Sequence, residues 1–391
     1  MEPSASRPQW RVLQRLGEVG SHRELDDVTA LRFRADGAFA AVGDGAGNLR
    51  VLRTDAAAAG GGCGACCDFK AQEAEFDCLK SVEIEERING VSWVPHAASQ
   101  LLTCNDKTVK LWSVRSITGS TRGARRGGGG GGCVEQQRRV FSNAHGYSIN
   151  ALSCCSDGET FLTADDLRIN VWSLERADEC LNALDCKPGD METLSEVITA
   201  AAMHPTHCHI LAYSTSAGTV NLHDLRQRAL CDSALAQQFR QGLGGAAGGQ
   251  GFFSEIAGCI SDFKFGGATG RAMATRDFLR VTVWDTAMPG KPVCSSLMRE
   301  DYPARMAQMY NEDRAFDQFS LSFSGSGEEV ATGLYGGLVR TFSATTGELT
   351  GEVCVHKEPP QDHAPVLHVA WNSSSDSILA AYGQQSCCIA R

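Results

Sequence analysis

A short pattern returns seven times along these 391 residues, and it restricts the possible folds more than any other feature of the chain. NDKTVKLW at 105–112 is matched by ADDLRINVW at 164–172 and by TRDFLRVTVW at 275–284. In each copy a turn bearing Asp leads into alternating polar and apolar residues and closes on a large ring. Weaker copies close on Leu52, Leu222, Phe342 and Ile389, so the seven endpoints lie roughly 47 to 62 residues apart. A supersecondary unit repeated at such a period cannot bury its apolar face alone and must stack on its neighbours.

Each endpoint is preceded by a stretch in which every second residue is apolar: 28–33, 88–93, 149–153, 198–203, 260–265, 319–323 and 366–371. That period is the mark of a half-buried strand. Between the two lies a polar turn such as Ser156-Asp157-Gly158-Glu159, followed by a short apolar strand, 160–163 in that copy. Strand, turn, strand, Asp-turn, strand is three-quarters of a propeller blade, and long helical periodicity is absent. The prediction is an all-β, seven-bladed β-propeller over residues 10–391, a ring whose strand edges are short and protected. Gly-rich stretches at 56–67, 116–137 and 241–251 read as flexible insertions, and none carries enough apolar residues to pack as a second domain.

Composition narrows the function classes. No window of about 18 apolar residues marks a membrane span, and the first residues lack the basic-then-apolar pattern of a secretory leader. The 17 cysteines are odd in number and scattered through core-like strands, so they read as reduced thiols of a cytosolic or nuclear protein rather than a disulfide framework. A net charge of −10 argues against a general nucleic-acid binder, whose affinity comes from neutralising phosphates, and suits basic protein segments as partners.

The chemistry-bearing clusters have simpler readings. Cys63, Cys66 and Cys67 include a CxxC spacing, but no second CxxC completes a tetrahedral metal set. His204, His207, Cys208 and His209 fall at a predicted blade turn and read as a polar loop. The glycines around Asp44 precede a strand rather than a helix, so they serve a tight turn and not a phosphate. Arg122, Arg125 and Arg126 beside polyglycine read as a solvated linker. With no nucleophile beside a placed base, the chain is expected to be no enzyme and to need no metal or cofactor. Asp106 and Asp277 read as blade-corner acceptors of hydrogen bonds. At Asp165-Asp166 one turn needs a single carboxylate, which leaves the other for the rim of the ring.

Longer segments go beyond generic blades. EFDCLKSVEIEERIN at 75–89, RRVFSNAHGYSINALSCCSD at 138–157 and TADDLRINVWSLE at 163–175 come first. METLSEVITAAAMHP at 191–205, FFSEIAGCISDFKF at 252–265, ATRDFLRVTVWD at 274–285 and YNEDRAFDQF at 310–319 follow in order. Together they closely resemble the WD40-type, WD-repeat regulatory B subunit of protein phosphatase 2A, from Trp10 to about Trp371. The resemblance implies a non-catalytic subunit that sits with a helical-repeat scaffold subunit and a separate serine/threonine phosphatase catalytic subunit and chooses phosphoprotein substrates with basic segments. It places a substrate groove across the top of the propeller. Carried over by position, Asp166 is an acidic contact, Leu194 an apolar contact and Phe252 an aromatic wall, while Tyr310, Asp313 and Phe316 form a polar and aromatic edge. The alternative for Phe252 and Phe316 is plain core packing, and for Asp166 a structural corner.

Departures from the family pattern define further expectations. The interval 113–137 is shorter than the family's scaffold-gripping hairpin arm and offers little to form paired strands. Gly45 stands where the family has a groove-edge lysine. The loop 347–365 is short, and Ser386-Cys387-Cys388-Ile389-Ala390 reads as a poor final strand that closes the ring weakly. A WD-repeat scaffold that binds peptides without assembling with the phosphatase is the competing reading.

Overall fold

The computed structural model describes residues 10–16, 26–54, 63–78, 81–116, 133–227, 237–241, 252–356 and 365–391, without the side chains of Leu16, Ser116 and Phe252. Seven four-stranded antiparallel sheets follow one another along the chain. Blade 1 spans residues 28–70, blade 2 90–141, blade 3 151–185, blade 4 198–240, blade 5 260–297 and blade 6 321–354. Blade 7 takes three strands from 368–390 and its outermost strand, Arg11–Leu16, from the other end of the chain. The inner strands fall within the stretches that alternation predicted, shifted by a residue or two at their ends.

The core consists of apolar layers between adjacent blades. Leu49, Val51 and Phe69 of blade 1 share one buried cluster with Val91, Leu101 and Trp112 of blade 2, and the Phe69 and Trp112 rings lie 4.8 Å apart. Polar side chains at the head of four inner strands reach across these layers. Thr29 donates to the Ile88 carbonyl at 2.6 Å, Asn89 to that of Ile149 at 3.1 Å, Asn150 to that of Ile198 at 3.0 Å, and Ser261 to that of Phe319 at 3.0 Å. At these four interfaces one hydroxyl or amide thus fixes the height of a blade against the next.

Inside three blades the closing tryptophan belongs to a repeated network. Trp172 and His145 both meet the Thr163 hydroxyl, at 2.8 and 2.7 Å, and the other nitrogen of His145 reaches Asp165 at 3.1 Å. Asp165 accepts from the backbone N–H groups of Leu167 and Arg168, which sets the turn. In blade 2, Gln72, Thr103, Trp112 and Asn105 occupy these places, and in blade 5 Gln241, Thr275, Trp284 and Asp277 do. Asp277 is therefore the predicted corner acceptor. Asp106 is not: Asn105 makes that turn, accepting from the N–H groups of Lys107 and Thr108.

The identity of the partner decides how each corner carboxyl titrates. Burial alone would raise Asp165, but the hydrogen bond from His145 and the backbone N–H groups outweigh it and hold the carboxyl low. Asp277 faces a neutral Gln241, and burial pushes it up to about 6 despite the adjacent Arg276 guanidinium. A folded pKa above the unfolded value means that the folded state holds its proton more tightly, so this contribution is complete below about pH 4 and fades as pH rises through about 6. Asp277→Asn keeps the acceptor oxygen, as Asn105 does in blade 2. Urea melts of this variant should keep the native fold and lose that downward slope. An unchanged slope would place the titration elsewhere.

Three sequence expectations need correction. Residues 63–67 are not insertion but the start of the outer strand Cys63–Lys70 of blade 1, and 133–137 begin the outer strand Cys133–Phe141 of blade 2. That strand pairs with Val109–Ser116 along its whole length, and the rungs Val114↔Glu135, Arg115↔Val134 and Ser116↔Cys133 run past the last rung of the neighbouring strand, Ser113↔Gln100. The base of a hairpin arm is thus present. Its connection, 117–132, including the six consecutive glycines, lies outside the described residues, as do 56–62 and 242–251. Gln241, assigned to the third insertion, is instead a buried member of the blade 5 network.

The final strand is also better built than its composition promised. Gln385–Ala390 pairs with Ser377–Tyr382 on one side and with Arg11–Leu16 on the other, and Cys387, Cys388 and Ile389 are buried. Small buried thiols pack as apolar groups between two strands. The end of the chain reads poorly as a strand only while its N-terminal partner is overlooked.

Candidate functional site

In an up-and-down blade, the loop joining the second and third strands and the loop leading to the next blade lie at the same end. All six predicted site residues occupy such loops, so the fold gathers them on one rim. Asp166 lies between the second and third strands of blade 3, and Leu194 lies between blades 3 and 4. Phe252 lies between blades 4 and 5, and Tyr310, Asp313 and Phe316 between blades 5 and 6.

Asp165 and Asp166 divide the work of their turn. Asp165 is fully buried and holds the corner, whereas Asp166 is half-buried and its side chain accepts only from Asn150 Nδ2, at 3.3 Å. Its carbonyl receives the N–H of Ile198 at 2.8 Å, which ties the turn to the next blade. Burial and the neighbouring Asp165 raise the Asp166 carboxyl, with partial relief from Asn150 and Lys107. A carboxylate raised in this way gains from an incoming cation.

Leu194 follows the short 3₁₀ turn Met191–Thr193, whose N-terminal Asp190 accepts from the Glu192 N–H. It lines a mixed polar and apolar cleft of about 240 Å³ with Pro188, Val197, Ile198 and Tyr213 on its apolar side and Thr193, Ser195, Glu196 and Thr215 on its polar side. Ile198 lines this cleft and bonds the Asp166 turn, so the acid and the cleft are neighbours. Desolvation, and then the nearby Glu196 and Asp185, push the Cys186 thiol up to about 11.

The second cluster is aromatic. Helix α1 (Phe252–Gly258) presents Phe253, which is 37% exposed and edge-on to Tyr310 at 5.7 Å. Helix α2 (Tyr302–Asn311) buries Tyr302, Met306 and Met309 at helical spacing against blades 5 and 6. Just past its end the chain turns at Asp313, in the left-handed conformation (φ 58°) that aspartate tolerates better than most residues. The following turn, Arg314–Phe316, is held down by the Tyr335 hydroxyl, which donates a hydrogen bond within reach of both the Arg314 carbonyl (2.6 Å) and Asp317 (2.5 Å). Ala315 therefore points inward, and Phe316 stands 57% exposed with its ring 5.6 Å from Tyr310. That exposure excludes core packing for Phe316. The described part of Phe252 is its backbone at the head of α1.

Two residues at this rim escaped sequence reasoning. Phe253 escaped because FF at a helix start does not tell which ring faces out. Asp106 escaped because it was aligned with the corner acceptor. In the fold it matches Asp166, held by Asn89 Nδ2 at 2.8 Å, with its carbonyl accepting from Ile149. The signal was present in the register of NDK on DDL. The histidine cluster is a polar turn: His204 Nδ1 accepts from the N–H groups of Thr206 and His207, and burial lowers its pKa to about 4. Among the described residues no group of three or more His, Cys, Asp or Glu is placed to hold a metal ion.

Comparison with known proteins decides the family. The WD domain, G-beta repeat model matches residues 76–113 and 135–173. The chain is 37% identical over 367 residues to the serine/threonine-protein phosphatase 2A regulatory subunit sur-6 of Caenorhabditis elegans, covering 85% of this chain and 73% of that one. The chain belongs to the regulatory B family of protein phosphatase 2A. The beta isoform of the 55 kDa B-type regulatory subunit of Arabidopsis thaliana is 37% identical over 407 residues (87% of this chain, 80% of that one). The B-type regulatory subunit of Candida tropicalis phosphatase PP2A is 36% identical over 345 residues (82% and 67%). Membership makes this B-family chain a regulatory polypeptide rather than an enzyme. A solved structure of Chaetomium thermophilum Raptor superposes with a TM-score of 0.63 at 10% identity, covering 98% of this chain and 29% of that one, and this shows the propeller fold alone. Among the described residues no helix is long and apolar enough to cross a membrane.

Proposed function

We propose that this B-family chain is the substrate-targeting subunit of a phosphatase 2A-type holoenzyme, joined to a scaffold subunit and a catalytic subunit in the cytosol and nucleus. Phosphoproteins carrying basic segments lie across the loop-bearing rim. Asp166 meets a basic side chain, the Leu194 cleft takes an apolar one, and Phe253, Tyr310, Asp313 and Phe316 form the ledge along which the segment continues. The observation that carries this reading is the pairing, at one end of the ring, of a raised carboxylate with a neighbouring cleft that offers the apolar side chains of Leu194, Val197 and Ile198. Carboxylates give attraction and register, while desolvated apolar anchors supply most of the binding energy.

The hairpin base supports the scaffold half of the proposal. Its extended rungs project toward the end opposite the groove, because a connection between third and fourth strands lies there in every blade. Scaffold and substrate can therefore be held at once. Affinity capture of the tagged full chain with purified scaffold and catalytic subunits is expected to return a stable three-part complex with phosphatase activity. A well-folded chain that captured neither subunit would overturn assembly and leave a free-standing peptide-binding propeller.

A further inference from the structure

The outer strand of blade 1 carries two cysteines that each meet a thiol from a neighbouring blade. Cys63 shares one buried cluster with Cys388 of blade 7, and Cys133 of blade 2 packs against another cluster that contains Cys67. The settings differ. Cys63 and Cys388 are 4% and 1% exposed and sealed from solvent. Cys67 is 8% exposed, but Cys133 is half-exposed and sits on the last rung of the hairpin, Ser116↔Cys133. The outer strands of blades 1 and 2 run against each other, with Cα atoms within 8 Å. Burial and then the hydrogen bond with Cys133 push the Cys67 thiol up, so it is the half-exposed partner that meets an oxidant first.

We infer that Cys67 and Cys133 form a reversible disulfide on exposure to peroxide, stapling the base of the hairpin arm to blade 1. The Cys133 sulfur attacks one peroxide oxygen, breaking the O–O bond and releasing water, and becomes a sulfenic acid. Cys67 then attacks that sulfur, its proton leaves with the sulfenic hydroxyl as a second water, and an S–S bond forms. Two thiols are oxidised and one peroxide is reduced. Contact between the thiols precedes a bond of about 2.05 Å, and the hairpin rungs that extend beyond the sheet can supply the remaining movement. The inference rests on the two strands alone and stands whether or not the chain assembles with a phosphatase.

The test treats the purified, fully reduced chain with hydrogen peroxide, alkylates the remaining thiols and maps the peptides. Most chains are expected to yield one reductant-sensitive linked pair containing Cys67 and Cys133. That pair should persist in Cys66→Ala and be absent in Cys67→Ala, and amide exchange across 109–116 and 133–141 should slow on oxidation. If Cys67→Ala does not fold, fragmentation of the linked pair from Cys66→Ala assigns the sulfur by itself. A link that is lost in Cys66→Ala would overturn the assignment. So would conversion of Cys133 to sulfinic acid with no link formed.

Discussion

Trp10→Ala is expected to lower unfolding stability by about 3–5 kcal/mol, the range for emptying a large buried aromatic site. Trp10 is 7% exposed and meets Trp371 of blade 7 edge-to-face, with centroids 5.3 Å apart. The Arg391 guanidinium lies 4.7 Å above its ring while bonding Glu329 of blade 6 at 2.6 Å. The indole also lies against the outer strand of blade 6, where a Cβ at Gly351 would come within 2.4 Å of it. The same terminal strand bonds blade 6 through Arg15 to the Val355 carbonyl (2.9 Å) and blade 1 through Gln14 to the Cys63 N–H (2.7 Å). It thus bridges three blades at the seam where the ring closes. Deleting residues 10–16 should cost more than Trp10→Ala and expose the edge of Gln385–Ala390 to pairing with other chains. Equilibrium denaturation with light scattering reads both effects, and a change under about 1 kcal/mol for Trp10→Ala would show that the seam carries little of the stability.

The second large effect concerns binding rather than folding. Asp166→Lys is expected to weaken capture of a basic substrate segment by about 10- to 100-fold, since it replaces an attraction with a like charge. Its melting curve should stay close to that of the parent, because the side chain makes one long hydrogen bond and Asp165 holds the corner. Phe316→Ala should lower the same affinity with almost no loss of stability, as an exposed ring leaves no cavity behind. Isothermal titration beside a thermal melt separates the two readings. Loss of the cooperative transition in Asp166→Lys would make Asp166 a structural residue, and unchanged affinity in both variants would remove this rim as the groove.

The blades were legible because their signals are local. Recurrent apolar residues along Ile198–Met203 mark a strand packed in the core, and the turn before each tryptophan needs a side-chain acceptor that the sequence supplies. The outer strands were less legible. Cys133–Phe141 is exposed along most of its length and carries no alternation, so only its pairing with Val109–Ser116 makes it a strand. The same holds for Arg11–Leu16, whose partner lies at the far end of the chain. Site residues divide in the same way. That Asp165-Asp166 contains one carboxylate too many for its turn could be read from the sequence, but the fold was needed to show which one is buried.

By itself, then, the sequence determined the repeat, its number, the inner three strands of each blade and the family, since each rests on local periodicity or on long ordered motifs. The tertiary structure decided the closure of the ring, the strand character of 63–67 and 133–137, and the outward stance of Phe253 and Phe316. These depend on contacts between residues far apart in the chain, and a turn pinned by the Tyr335 hydroxyl or a strand paired across the whole length of the protein leaves no periodic trace in its own segment.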